Sequence, residues 1–519
     1  VLPAADRFPT LATRGNVKMK PMKFAAVALA AALAWGSALA CTTVVVGSQA
    51  SADGSLLIAR SADSSALKAQ HLLIHPATTN AKGMYRSADH NGANKFEYPV
   101  AENGLRYTTV PNWKTQIHGA TGFNEAGVGF SGTESIFARD DALKLDPYNE
   151  ETGITEDDIP EVILPRAKTA REGVEILGKI VETIGAGEGF GVVLIDNNES
   201  WYFETGTGHQ WLAQRTPKDK YFASGNQGRL QQYDPKSPDF MASKTLVQWA
   251  TKNGFYDPKK DGEFNFSKAY TRDDYRDRDY NDPRVWEVQR ILTPSLKQNV
   301  EAGRTFPVWV KPDQKITVSD LTAIMRNHYA SGPLASHDPY TNGLKGDKEP
   351  YRPISVFRTY ESHVMQVRPW LPKAIGQVTY LAMGMADLSV YVPVYSGMSA
   401  YPKHWGMGTD KADSKSLYWK FRKLQTLVMT DYPKLAPIVK KAYGAFEADL
   451  AKRQAAFEKD YVKTVKTNPK AAQKALDAFS IKAMTDAENL TEDLMNQLFT
   501  VRTEDIQKVN FFANRSKKD

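Results

Sequence analysis

The chain has 519 residues, of which 42% are hydrophobic, 11% aromatic and 24% charged. That balance excludes a disordered, collagen-like or coiled-coil polypeptide and suits one large catalytic domain or two to four average ones. The formal charge is +7, but residues 1–40 hold five basic groups and one acid, so only +3 belongs to residues 41–519. Nucleic-acid binding through a basic surface therefore has little support.

Lys18, Lys20 and Lys23 precede an apolar run from Phe24 to Leu33, and Ala38-Leu39-Ala40 follows it. A basic flank, a short apolar centre and a terminal Ala-x-Ala have the layout of a secretory signal peptide. The run is too short for a membrane span, which needs about 20 residues. The expectation is a leader over residues 1–40, begun at Met19 or Met22, with the first 18 residues an over-extended gene start. Cleavage is expected before Cys41. The product would be exported to the periplasm or the medium, meeting the membrane only during export.

Cys41 is the only cysteine, so no intrachain disulfide can form. The expected cut puts its thiol and a free α-amine on one residue. Unperturbed pKa values of about 8.5 for the thiol and about 7.7–8.0 for the amine let the amine take the thiol's proton near neutral pH. A lipid-anchored Cys41 and an incidental cysteine stand as alternatives. Ala38 and Leu39, however, follow the order of a soluble-export site rather than that of a lipobox.

Thr42–Gly47 reads as a buried strand and Ser48–Ser55 as a polar turn with Asp53-Gly54 at its tip. Leu56–Arg60 is the returning strand. This hairpin brings Arg60 and Asp63 back beside Cys41. There Asp63 can hold an α-ammonium group and Arg60 can favour a thiolate.

Cys41-Thr42-Thr43 with Gly47, the Asp53-Gly54-Ser55 turn and Ala59-Arg60 with Asp63 together resemble the start of the dipeptidase A-type cysteine peptidases. These are N-terminal nucleophile hydrolases related to choloylglycine hydrolase and penicillin V acylase. The resemblance continues through Gly122–Val128, Ser131–Ser135, Leu164–Val174, Trp201–Glu204, Gly208–Trp211 and Gly225–Gln227, and covers most of residues 41–425. One departure is Ser61, where the relatives often carry Asn. The resemblance implies an α+β fold, the αββα four-layer sandwich of stacked antiparallel sheets between helices. It also implies a dipeptide substrate, an acyl-enzyme on Cys41 and no metal or cofactor. Asn124 is implied to donate to the oxyanion, Asn226 to orient the terminal amine or assist the oxyanion, and Arg284 to be a distal site arginine. The acylase relatives leave open a non-peptide amide substrate. A Cys41-lipidated, non-enzymatic envelope protein is the alternative outside enzymes.

Residues 41–230 are rich in short strand-like runs, interrupted by a helical pattern over Glu161–Ile184 with apolar Val174, Leu177, Ile180 and Val181. Phe190–Ile195 and Trp201–Glu204 read as a hairpin about Asn197-Asn198. Thr271–Pro283 reads as a solvated loop whose acids lack calcium-loop spacing. His71 and His75 flank a strand and lack the Glu of a helical zinc motif. Val439, Tyr443, Phe446, Leu450, Phe457 and Tyr461 mark a late helix ended by Pro469, and Leu490, Leu494 and Leu498 mark another. The expected organisation is a catalytic domain over 41–425 and a helical region over 426–519. The aromatic stripe of that region reads as packing, with a homo-oligomer contact left open.

Overall fold

Strand β1 (Thr42–Val46) is apolar on both faces because both are covered. Val45 points into the space between two sheets, while Val44 and Val46 face a layer of helices. The computed structural model describes residues 41–87, 93–116, 119–340 and 351–508, so the expected leader lies outside the described residues.

Seven antiparallel strands form the first sheet. They are β1, β2 (Leu56–Asp63), β12 (Tyr221–Ser224), β14 (Trp309–Val310), β15 (Thr359–Val367), β16 (Gln377–Met383) and β17 (Val392–Tyr395). Their order is β14-β12-β1-β2-β15-β16-β17, which puts the expected β1–β2 hairpin at the centre. The second sheet runs β13-β11-β10-β9-β8-β7. Its strands are β7 (Thr121–Phe123), β8 (Gly129–Ser135), β9 (Phe190–Ile195), β10 (Ser200–Thr205), β11 (Trp211–Arg215) and β13 (Phe240–Ala242). The expected hairpin about Asn197-Asn198 is β9–β10. Two small pairs, β3 (Leu73–His75) with β6 (Tyr107–Thr109) and β4 (Met84–Arg86) with β5 (Glu97–Pro99), complete the strands.

Val45, Ile58, Phe222 and Met365 of the first sheet meet Val193, Ile195, Tyr202 and Leu212 of the second in one buried cluster. The outer face of the first sheet packs on the helices Asp282–Leu292 and Val318–Met325 through Val285, Val288, Leu321 and Ile324. The outer face of the second packs on the helix Ala170–Thr183 through Val174, Leu177, Ile180 and Val181. Helix, sheet, sheet, helix is the four-layer α+β sandwich that the resemblance implied. The described residues form one compact unit.

Three local readings change. The pattern over Glu161–Ile184 is two helices, Ile159–Ile163 and Ala170–Thr183. Pro165 lacks an N–H to continue the first, and the Thr169 side chain caps the second by accepting from the Glu172 amide. Thr271–Pro283 is not a plain loop: it holds the helix Tyr275–Tyr280 and the start of Asp282–Leu292, and much of it is buried. The boundary drawn at 425/426 falls inside the helix Leu417–Met429. That helix shares a core with Leu381, Met383 and Val392 of the first sheet and with Val439, Leu450, Leu494 and Leu498 of the long helices Tyr432–Thr467 and Pro469–Gln507. Among the described residues no helix is long and apolar enough to cross a membrane.

Candidate active site

Register places the first group of residues. Thr42 pairs with Ser61 and Thr43 with Arg60, so Cys41, one step before β1, returns to the end of β2. Cys41 is 2% exposed, and Arg60 and Asp63 are fully buried. Burial pushes the Cys41 thiol up to about 11. The Arg60 charge and the Asp63 backbone N–H act against that rise, while the charges of Asp63 and Glu156 add to it. The hairpin thus brings Cys41, Arg60 and Asp63 together as expected.

Asp63 accepts hydrogen bonds from the Arg352 guanidinium and the Thr359 hydroxyl. Ser61 Oγ also donates to its Oδ2 over 3.3 Å. The residue that departs from the relatives' Asn therefore still helps to fix this carboxylate. Arg60 stands opposite His363 in the register of β2 and β15. His363 bonds Glu361 over 3.0 Å and Ser131 of the second sheet over 2.8 Å, a polar chain that crosses between the sheets beside Arg60.

Arg284 comes from the third position after Asn281, on the helix that covers the first sheet. Its Nη1 donates to the Cys41 carbonyl over 2.5 Å and to Thr42 Oγ1 over 3.0 Å. Its Nη2 donates to Asn226 Oδ1 over 3.0 Å and to Asn281 Oδ1 over 2.6 Å, and its Nε to the Tyr280 carbonyl over 2.8 Å. All five guanidinium donors are used, which offsets the cost of burying the charge. Burial, then the repulsion of Arg352, push Arg284 down to about 9, still cationic at neutral pH. The Arg284 bond to Asn226 Oδ1 turns the Nδ2 end of that amide away from the guanidinium. Asn281 closes the loop by accepting from the Asn226 N–H over 2.8 Å and donating to its carbonyl over 3.1 Å. Gly225 has to be glycine here, because a Cβ would lie 2.9 Å from both Arg284 Nη2 and Asn281 Oδ1. Arg284, expected as a distal arginine, thus bonds the Cys41 carbonyl directly, and Asn226 is linked to Cys41 through it.

Asn124 does not join this group. Its Nδ2 donates to the carbonyls of Leu164 over 2.8 Å and Ala167 over 2.7 Å, and its Oδ1 accepts from the Val128 N–H over 2.9 Å. Both amide protons are spent on main-chain carbonyls, so none remains for an oxyanion. Asn124 is a buried clamp between the turn before β8 and the break between two helices.

Sequence reading missed Asn281, Tyr280, Arg352, Thr359 and Glu156. Asn281-Asp282-Pro283 carried a helix-start signal that would have turned attention to that segment. Arg352 had no such signal, lying 289 residues from Asp63. His71 and His75 bond to different partners: His71 Nε2 lies 2.9 Å from the Gly408 carbonyl and His75 Nε2 lies 2.7 Å from Thr109 Oγ1. Among the described residues no group of three or more metal-binding side chains could hold an ion.

The model of peptidase family C69 matches residues 40–444. A probable dipeptidase of Salmonella dublin is 51% identical over 382 residues, 73% of this chain and 85% of its own length. A probable dipeptidase of Latilactobacillus sakei is 33% identical over 488 residues, 92% of this chain and 98% of its own. Penicillin V acylase from Agrobacterium tumefaciens aligns with 68% of this chain and 86% of its own at 12% identity and a TM-score of 0.29. With a family model across most of its length and a relative sharing half of the aligned residues, the chain belongs to peptidase family C69 and is a hydrolase.

Proposed function

We propose that the protein is an exported, thiol-dependent dipeptidase, made active by removal of residues 1–40. The observation that carries this reading is the binding of Cys41 from both sides. Arg284 holds its carbonyl, and the β2 end bearing Arg60 and Asp63 surrounds its thiol. The names of the C69 relatives supply the dipeptide.

While Ala40 and Cys41 are joined, the Cys41 nitrogen is an amide and cannot act as a base. A thiol held at about 11 is then only about one part in 10⁴ ionised at pH 7. A free α-amine changes this by taking the thiol proton, and Asp63 is the group we assign to hold the resulting ammonium. The thiolate attacks the dipeptide carbonyl carbon, and a C–S bond forms as the oxygen becomes an oxyanion. The Asn226 amide is the side-chain donor we assign to that oxyanion. The α-ammonium returns its proton to the leaving nitrogen as the C–N bond breaks. Water then hydrolyses the thioester and restores the thiol.

The test is the intact mass and N-terminal sequence of the exported protein, together with assays on unmodified dipeptides and N-acylated amino acids. The expected outcome is a free Cys41 terminus, dipeptide cleavage, and loss of that cleavage in Cys41→Ala. A form retaining one uncleavable residue before Cys41 should be nearly inactive. A diacylglycerol adduct on Cys41, or cleavage in Cys41→Ala, would overturn the reading. Activity confined to N-acylated substrates would move it to the acylases.

A further inference from the structure

Three guanidinium groups gather about the ring of Tyr280. Arg284 lies 5.2 Å and Arg352 5.4 Å from its centroid, and Arg358 donates to its hydroxyl. The first two have evident work: Arg284 spans Cys41, Asn226 and Asn281, and Arg352 pairs with Asp63. Arg358 is different. It is half-buried, its hydrogen bond goes to a neutral hydroxyl, and no carboxylate pairs with it among the described residues. A guanidinium has five N–H donors, and the others of Arg358 are not sealed off from solvent.

Its place in the chain is equally specific. Arg358 immediately precedes Thr359, whose hydroxyl bonds Asp63, and the Asp63 backbone N–H faces the Cys41 thiol. On its other side, Tyr280 connects it to Arg284 and so to the Cys41 carbonyl. A cation with unused donors is therefore linked, through Thr359 on one side and Tyr280 on the other, to the groups that touch the nucleophile. In a dipeptide the terminal carboxylate lies one residue past the scissile carbonyl, about 3.3–3.6 Å of extended chain. In a tripeptide cleaved at its first bond, that charge lies a further residue away.

We propose that Arg358 binds the free α-carboxylate of the substrate and so selects peptides that end one residue past the scissile bond. This inference rests on the dipeptidase reading above. A planar guanidinium suits a carboxylate because two parallel N–H groups can meet its two oxygens. The anion would also offset the positive charge gathered about Tyr280, where Arg352 already disfavours the charge on Arg284.

The experiment compares kcat/KM for one dipeptide and for the same dipeptide as its C-terminal carboxamide, using the processed enzyme. Wild type should prefer the free acid by about 10–100-fold, the worth of a hydrogen-bonded charge. In Arg358→Gln and in Arg358→Met that ratio should fall toward one, mainly through a higher KM for the acid. Arg358→Lys should keep part of the preference. A merely structural role would depress both substrates together and leave the ratio alone. An unchanged ratio in the two neutral variants, checked for folding by thermal melts, overturns the inference. If wild type cleaves acid and amide equally, the Arg358 role falls and the dipeptidase reading stands. If it cleaves neither, the dipeptidase reading falls and takes this role with it.

Discussion

Replacing Asn124 by Ala should damage the fold rather than the chemistry. The substitution strands the carbonyls of Leu164 and Ala167 and the N–H of Val128, three main-chain groups in residues that are 0% exposed. Each buried group left without a partner costs about 1–3 kcal/mol, and a water entering the vacated space would recover part of that. The expected loss is about 3 kcal/mol, the low end of the sum. It should appear as a lower urea midpoint for the processed enzyme. Turnover per active molecule, counted by titrating the single thiol with iodoacetamide, should stay within a few-fold of wild type. Loss of an oxyanion donor behaves in the opposite way, typically lowering turnover about 10²–10³-fold. An unchanged urea midpoint with turnover reduced on that scale would refute the clamp and restore Asn124 to the catalytic set.

Two further predictions concern the supports of the site and of the second sheet. Burial raises the Glu161 carboxyl from an ordinary 4.5 to about 7, while Tyr107 donates to it over 2.5 Å. The folded state thus holds this proton more tightly than the unfolded one. Its contribution is fully present below pH 4.5 and is lost as pH rises to about 7, amounting to at most about 3 kcal/mol. Glu161→Gln should flatten the fall in stability over that window, and denaturant midpoints with the same pH slope as wild type would contradict this. Gly225→Ala should push Arg284 and Asn281 off the 2.9 Å contacts that a Cβ would make. A displaced constellation of this kind costs about 10²-fold in kcat/KM. A wild-type kcat/KM would mean that the Arg284 bridge does not position the nucleophile.

The hairpin from Cys41 to Asp63 was legible because all of its geometry is local. Once Thr42–Val46 and Leu56–Arg60 are strands joined by an Asp-Gly turn, pairing alone returns Asp63 to the start of β1. The helical spacing of Val439 to Tyr461 was legible for the same reason, with Pro469 opening the next helix as it ends the last. Arg284 and Asn226 were found by likeness to a family rather than by physics. Arg284 reaches the Cys41 carbonyl across 243 residues, through the docking of a helix on the first sheet. Asn281 and Arg352 were missed because their roles exist only after that docking, when Asp277, Asn281 and Asp282 of the charged segment after Thr271 turn inward. Asn124 shows the converse: its motif was recognised, but a motif does not reveal where two amide protons go. Local runs of β-branched and apolar residues, bounded by Gly and turn residues, determined the strands, the hairpin and the place of the thiol beside Arg60 and Asp63. Only the tertiary structure decided which polar groups were left to face that thiol, because a hydrogen-bond donor serves whichever acceptor packing brings within about 3 Å.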